Sequence, residues 1–370
     1  MALWELEQFQ NPQFLGFIRS IPVPAEFQSG QASGGILPAV TVPTLEYEYV
    51  LGANGSPAGA VPMAHVMGWD SEAPMAGRKG YNQPFPPEAT VRGELPPIKR
   101  KAKLSEKEII KFKQPRPGTS DEEDVVNYVY DLTADLVTSI QSRIEWLGMQ
   151  AISEDVITIN SEGVDVQVDF GIPTTQQFNV ATDANFSGVW TDTTNSNAVT
   201  DLDYIANGFE VVHGFRPAKM LCDQTTNLLL LTNLKLLELI RGPGAPTIRL
   251  TQDELDALFG IYELPTLQPY NVVLYEENHD GSTVAVRPFN RNKAVLLPPD
   301  GIEVGNVLYG PTAEARSIPG VAYTQYAPGI VGSVYGKDEP PAEFVKVAAV
   351  AFPTLPGAQN IVQMRVRSDL

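Results

Sequence analysis

The chain has 370 residues, 43% of them apolar, with 31 Pro, 30 Gly and a formal net charge of −18. This length allows two or three lobes and a sizeable core, and the acidity argues against nucleic-acid binding as the main function, because phosphate demands a net basic face, without excluding proximity to DNA. Cys222 is the only cysteine, which excludes an intrachain disulfide and a Cys-rich zinc site; a start that lacks the basic n-region and apolar h-region of a signal peptide, and the lack of any run near ~20 apolar residues, predict a soluble chain made in a cytoplasm, with no membrane partner.

Residues 1–40 read as an arm. Phe9, Phe14, Leu15, Phe17 and Ile18 are apolar, but Pro12, Pro22 and Pro24 prevent one long helix. Such a terminal arm lies on something else. Residues 44–51 alternate with period two, and Asn54-Gly55 and then Ala60–Val66 follow, which predicts a long hairpin. Residues 89–95 read as a short extended piece.

The run Gly93-Glu94-Leu95-Pro96-Pro97-Ile98-Lys99-Arg100-Lys101-Ala102-Lys103-Leu104 joins a stiff Pro pair to a block of cations. From Gly77 to Arg116 there are 11 Lys and Arg against 4 Glu, a net +7, which leaves −25 for the rest of the chain. Arg78, Lys79, Arg92, Lys99, Arg100, Lys101 and Lys103 are the candidate contacts to a neighbouring copy. A block of one sign on a body of the other suits a self-associating subunit. A solvated basic loop is the plainer alternative. The whole stretch 36–104 lacks an apolar stripe, which favours a segment that projects and is buried on a neighbour.

A short helix is expected at 105–112. Ser120 and Glu123 form a capping box, and Val125, Val129, Leu132, Leu136, Ile140, Ile144 and Leu147 then recur at spacings of three and four. This predicts a spine helix over 120–148, with Gly148 as its C′ residue. Residues 156–159 and 164–170 predict a second hairpin, and the polar stretch 174–200 a connection. From Asp201 helices and strands alternate. Helices are expected at 202–213, from Asp223 or Thr225 to Ile240, and from Thr251. Strands are expected at 217–221, 271–276, 293–297, 344–352 and 361–366.

The search for chemistry is negative. His65, His213 and His279 have no partner at metal-ligand spacing. Gly336-Lys337 lacks the Ser or Thr and the first Gly of a phosphate loop. Glu276, Glu277, His279 and Asp280 read as a polar hairpin tip, and Trp190 and Asp192 as a packing anchor and a turn. No catalytic residue, cofactor or metal is expected.

The order of elements resembles the major capsid proteins of tailed bacteriophages, the lambda-type capsid protein E family with the Hong Kong 97-type fold. Local strings that carry the resemblance are 93–104, 157–169, Trp190-Thr191-Asp192 with Asp201-Leu202, 296–315 and 346–353, in collinear order. The resemblance implies an α+β fold with an N-terminal arm (1–40) and an extended β-hairpin loop (41–103). It also implies a peripheral domain (104–200 with return strands 320–370) and an axial domain (201–319). It implies a non-enzymatic shell protein whose pentamers and hexamers close an icosahedral capsid around double-stranded DNA, without sequence-specific binding. A separate scaffolding protein, a portal protein and a decoration protein are the implied partners, with assembly in the host cytoplasm and final residence in the virion.

An encapsulin-like nanocompartment shell is the alternative within the fold, and an acidic α+β enzyme the alternative outside it. Lys79 sits where some shells of this fold cross-link to a neighbour's asparagine. No glutamate to take up its proton is identifiable, so no covalent ladder is expected.

Overall fold

The computed structural model describes residues 17, 21–31, 35–50, 90–104, 121–161, 164–244, 248–277, 281–313, 322–326, 329–338 and 341–368. Arg78, Lys79, the turn at Asn54-Gly55, the helix expected at 105–112 and the Ser120 cap lie outside these residues.

The described chain opens with β1 (Ser29–Gln31) and β2 (Leu37–Thr41). β3 (Glu46–Val50) and β4 (Thr90–Glu94) pair antiparallel, with Glu46 opposite Glu94. The alternation at 44–51 is therefore a strand, but its partner is 90–94 rather than 60–66. Gly93 makes the pairing fit: a Cβ there would lie 2.6 Å from the Tyr47 hydroxyl. Tyr47 in turn stacks on Phe352 with ring centroids 5.6 Å apart.

β5 (Pro97–Leu104) pairs antiparallel with β17 (Pro341–Thr354), from Leu104 opposite Glu343 to Pro97 opposite Val350. The Pro–Lys strut is thus an integral strand of the chain's own sheet, not a projecting arm. Leu95 and Leu104 anchor its two ends in the core.

Helix α1 (Asp121–Glu154) is the expected spine. Val129, Leu136, Ile140, Ile144 and Leu147 are buried along its inner face. It runs six residues past the expected end at 148, through Gly148. That glycine is there for close approach: a Cβ would meet Ser29 Oγ at 2.1 Å. The helix stops at Asp155, a non-glycine residue at φ 68°. Its carboxylate accepts the Ile172 N–H at 2.8 Å, and its carbonyl accepts the Phe170 N–H at 2.9 Å.

β6 (Val156–Ser161) and β7 (Val164–Asp169) form the expected second hairpin. β8 (Gln177–Asn179), α2 (Ala198–His213), β9 (Lys219–Asp223), α3 (Gln224–Thr232), α4 (Leu234–Arg241) and α5 (Gln252–Ile261) follow. The single helix expected to Ile240 is two helices. Asn233 ends the first and caps the second, accepting the Lys235 N–H at 2.9 Å and the Leu236 N–H at 3.2 Å. α5 begins with a full capping box between Thr251 and Glu254. The chain then forms β10 (Thr266–Tyr270), β11 (Leu274–Glu277), β12 (Thr283–Val286), β13 (Lys293–Leu297), β14 (Asn306–Tyr309), β15 (Ala322–Tyr326), β16 (Ile330–Asp338), β17 and β18 (Val362–Arg365).

Two sheets organise these strands. A seven-stranded sheet runs β1-β2-β14-β17-β16-β15, with β5 also on β17. α1 packs on its inner face, where Leu104, Val345, Val347 and Ile140 share one core. A five-stranded sheet runs β10-β9-β13-β18-β8 and supports α2 to α5 over a second core. β18, expected among the returning strands of the first lobe, belongs to this second sheet. Among the described residues no helix is long and apolar enough to cross a membrane.

Candidate assembly surface

The period-two geometry of β5 sorts the candidate cations onto two faces. Ile98, Arg100, Ala102 and Leu104 turn toward α1, whereas Lys99, Lys101 and Lys103 turn away from it. All four cations are exposed. Arg100 forms an ion pair with Glu277 on β11 of the same chain. Arg143 on α1 reaches the adjacent Glu276 at 3.5 Å, so the β11–β12 hairpin is tied to both helix and strut. Arg92 on β4 pairs across its own hairpin with Glu48 at 2.7 Å. The sequence identifies the cation block but not this division, which depends on the register with β17.

A second feature, not legible in the sequence, fixes the arm to the body. Glu145 of α1 is fully buried and accepts the Ser29 N–H at 2.7 Å, the Gln28 N–H at 3.0 Å and the Tyr270 hydroxyl at 2.6 Å. One carboxyl thus joins the entering strand, the spine and β10 of the second sheet. Burial raises its pKa above the ordinary carboxylate value, against the pull of these hydrogen bonds. The only sequence signal is a single acid on the otherwise apolar side of the helix.

The connection 174–200 is held by another buried acid. Asp201 accepts from Ser187 N–H, Ser187 Oγ and Trp190 Nε1 at 2.8, 2.8 and 3.0 Å. Trp190 is the expected packing anchor. Asp192 is the expected turn residue, accepting the Thr194 and Asn195 N–H groups at 3.1 Å.

Burial shifts two further titratable groups. Burial pushes the Cys222 thiol up to about 12. Burial also lowers the pKa of His213, whose Nε2 lies 2.8 Å from Gln176 Nε2. Among the described residues no three His, Cys, Asp or Glu side chains converge to hold a metal. Gly336 and Lys337 lie within β16, not in a loop before a helix.

The family model described as phage major capsid protein E matches residues 59–365. No curated protein matches the chain. Among solved structures, a prophage chain from E. coli CFT073 described as a capsid protein is similar, with a TM-score of 0.51 at 16% identity, over 75% of this chain and 80% of that one. The capsid of cyanophage P-SCSP1u gives 0.46 at 8% identity, over 94% and 91%. An encapsulin complex from Synechococcus elongatus PCC 7942 gives 0.39 at 13% identity, over 89% and 85%.

Proposed function

Because the chain belongs to the phage major capsid protein E family, we propose that its copies form pentamers and hexamers of an icosahedral shell around double-stranded DNA. That the protein is a phage major capsid protein follows from the family itself, and the same match favours the phage reading over a nanocompartment. The observation that carries the proposal is the family match across 59–365, which spans the spine helix, the five-stranded sheet and all of the seven-stranded sheet but β1 and β2.

In this reading residues 1–40 are the arm and 41–103 the extended loop, with the β3–β4 hairpin as its stem, except that β1, β2 and β5 join the seven-stranded sheet and are counted with it. Spine helix and seven-stranded sheet make the peripheral domain. Residues 201–319 make the axial domain, less β14, which pairs with β17 and β2 in the large sheet, and with β8 and β18 added because they pair in the five-stranded one. The lysines of the strut meet carboxylates of a neighbouring copy, with Arg78, Lys79 and Arg92 as further contacts. The protein has no enzymatic activity. A separate scaffolding protein, a portal protein and a decoration protein complete the particle, which assembles in the host cytoplasm.

Expression of the full chain with the scaffolding protein of its phage, followed by negative-stain microscopy, tests this. Closed shells of uniform size are expected. A chain that stays monomeric with its scaffold at every concentration and salt tested overturns the proposal.

A further inference from the structure

The outward face of the large sheet has a composition unlike the rest of this acidic chain. Register places Lys99 opposite Ala348, Lys101 opposite Lys346 and Lys103 opposite Phe344. β16 continues the same face with Ser333 opposite Lys346, Tyr335 opposite Phe344 and Lys337 opposite Ala342. Five lysines therefore share one face of three adjacent strands, and no Asp or Glu of those strands stands on it. Glu343 falls on the opposite, helix-covered face. Phe344 forms the floor: Lys101 lies 5.8 Å over its ring, and Tyr335 stacks on it at 5.3 Å.

The other side of the same lobe is the mirror image in charge. α1 carries Asp121, Glu122, Glu123, Asp124, Asp131 and Asp135 before its first basic residue, Arg143. Asn127, Tyr128, Asp131 and Asp135 form its exposed stripe. Among the described residues, none of Lys101, Lys103, Lys337, Asp131 and Asp135 makes an ion pair within the chain. Asp131 and Asp135 are about 6 Å apart along a helix, and Lys101 and Lys103 about 6.7 Å apart along a strand. The two rows match in step and oppose in sign.

We infer that the lysine face of β5, β17 and β16 receives the acidic stripe of the spine helix of a second copy of this chain. The inference rests on the capsid reading and names the partner surface that reading leaves open. Two different surfaces on opposite sides of one lobe make a heterologous contact, the kind that propagates from copy to copy instead of ending at a dimer. Each exposed pair is weak, but the contact repeats at every junction. The aromatic floor adds apolar area beneath the lysine stems. Packaged DNA is the competing occupant. An acidic helix of this same chain is favoured because it supplies both the sign and the spacing from residues already in the particle.

The test is a charge exchange in the full chain, expressed with its scaffolding protein. The variants are K101E/K103E, D131K/D135K and the combination of all four. Particles are counted on gradients and by microscopy, and the soluble subunits are checked by thermal melting. Each double reversal is expected to cut particle yield by about tenfold or more with the melting unchanged, and the fourfold exchange to restore it. Restoration cannot come from misfolding. Wild-type yield from either double reversal overturns the inference, as does a fourfold exchange that fails to restore yield. Normal shells with less DNA per particle in K101E/K103E would assign the face to nucleic acid and equally overturn it. Failure of the wild-type chain to form shells removes the capsid reading itself, and the inference falls with it.

Discussion

The five-stranded sheet is covered on both faces, whereas the β5–β17–β16 part of the seven-stranded sheet is covered by α1 on one face and carries exposed lysines on the other. β13 shows the first case: Val295 and Leu297 enter the larger core, and Ala294 and Leu296 the second. β5 shows the second case: Leu104 and the half-buried Ile98 and Ala102 pack inward, and Lys99, Lys101 and Lys103 point out. A strand buried on both faces reads as a continuous apolar run, and one with a free face alternates. The doubly covered sheet fixes the subunit, and the half-covered one leaves a face for partners.

The sharpest way to break that comparison is to truncate one side chain in each sheet. Leu296→Ala removes a fully buried side chain from the doubly covered strand. It should cost about 2–5 kcal/mol of subunit stability. Lys101→Ala on the free face should stay within about 0.5 kcal/mol. Denaturant unfolding of the soluble subunit measures both. Similar costs at the two sites would show that the lysine face is as much a part of the subunit's own packing as β13.

Gly148→Ala probes how β1 joins the half-covered sheet to the spine. A residue that ended the helix would tolerate alanine where φ is compatible. Here the added Cβ would sit 2.1 Å from Ser29 Oγ and 2.7 Å from Ser29 Cβ. Overpacking of this kind costs about 1–3 kcal/mol, despite the better helix propensity of alanine. A stabilised variant would place β1 elsewhere.

The contact between Gly148 and Ser29 also marks the limit of what is legible in the sequence. The 3.6-residue stripe identifies the inner face of α1, because burial on one side of a helix leaves a periodic trace. The hairpin at 156–170 is legible for the same reason at period two. β13 is legible to the residue, since an apolar run bounded by polar turns has few other readings. Gly148 misleads because a helix-ending glycine and a glycine under a crossing strand look alike in one dimension. β10 is hidden because Pro269 argues against a strand; it is tolerated at the sheet edge. The partner of β3 is not legible because pairing is long-range, and the nearer segment 60–66 competes with 90–94. At the candidate surface the cation block is plain, but its division into Arg100 inward and three lysines outward requires the register with β17.

Glu145 separates the sheets in a different way, since it bridges both. Its folded pKa lies above the unfolded value because burial disfavours the charge. The native state therefore binds the proton more readily, and this group's contribution is fully present below the unfolded pKa and lost as pH rises through the folded one. Stability of the wild-type subunit should fall relative to Glu145→Gln as pH rises from about 4.5 toward neutrality. Paired unfolding curves across that range measure the difference. A wild-type advantage that grows with pH would mean that the three donors outweigh burial.

A small effect is expected at Arg100, and it separates the two faces of one strand. Arg100 is flanked by the outward lysines but turns to the helix side, where Glu277 of its own chain meets it. Both side chains are about half exposed, at 48% and 52%, so the pair contributes no more than about 1 kcal/mol. Arg100→Ala should lower subunit stability by that much or less, with the loss shrinking at high salt. Particle yield should remain at the wild-type level, because the residue does not stand on the face that meets a second copy. Denaturation at low and high salt, with particle counts on the same preparations, gives both readouts. A yield as low as that of K101E/K103E would place Arg100 in the intersubunit contact and undo the division of β5 into an inward and an outward face.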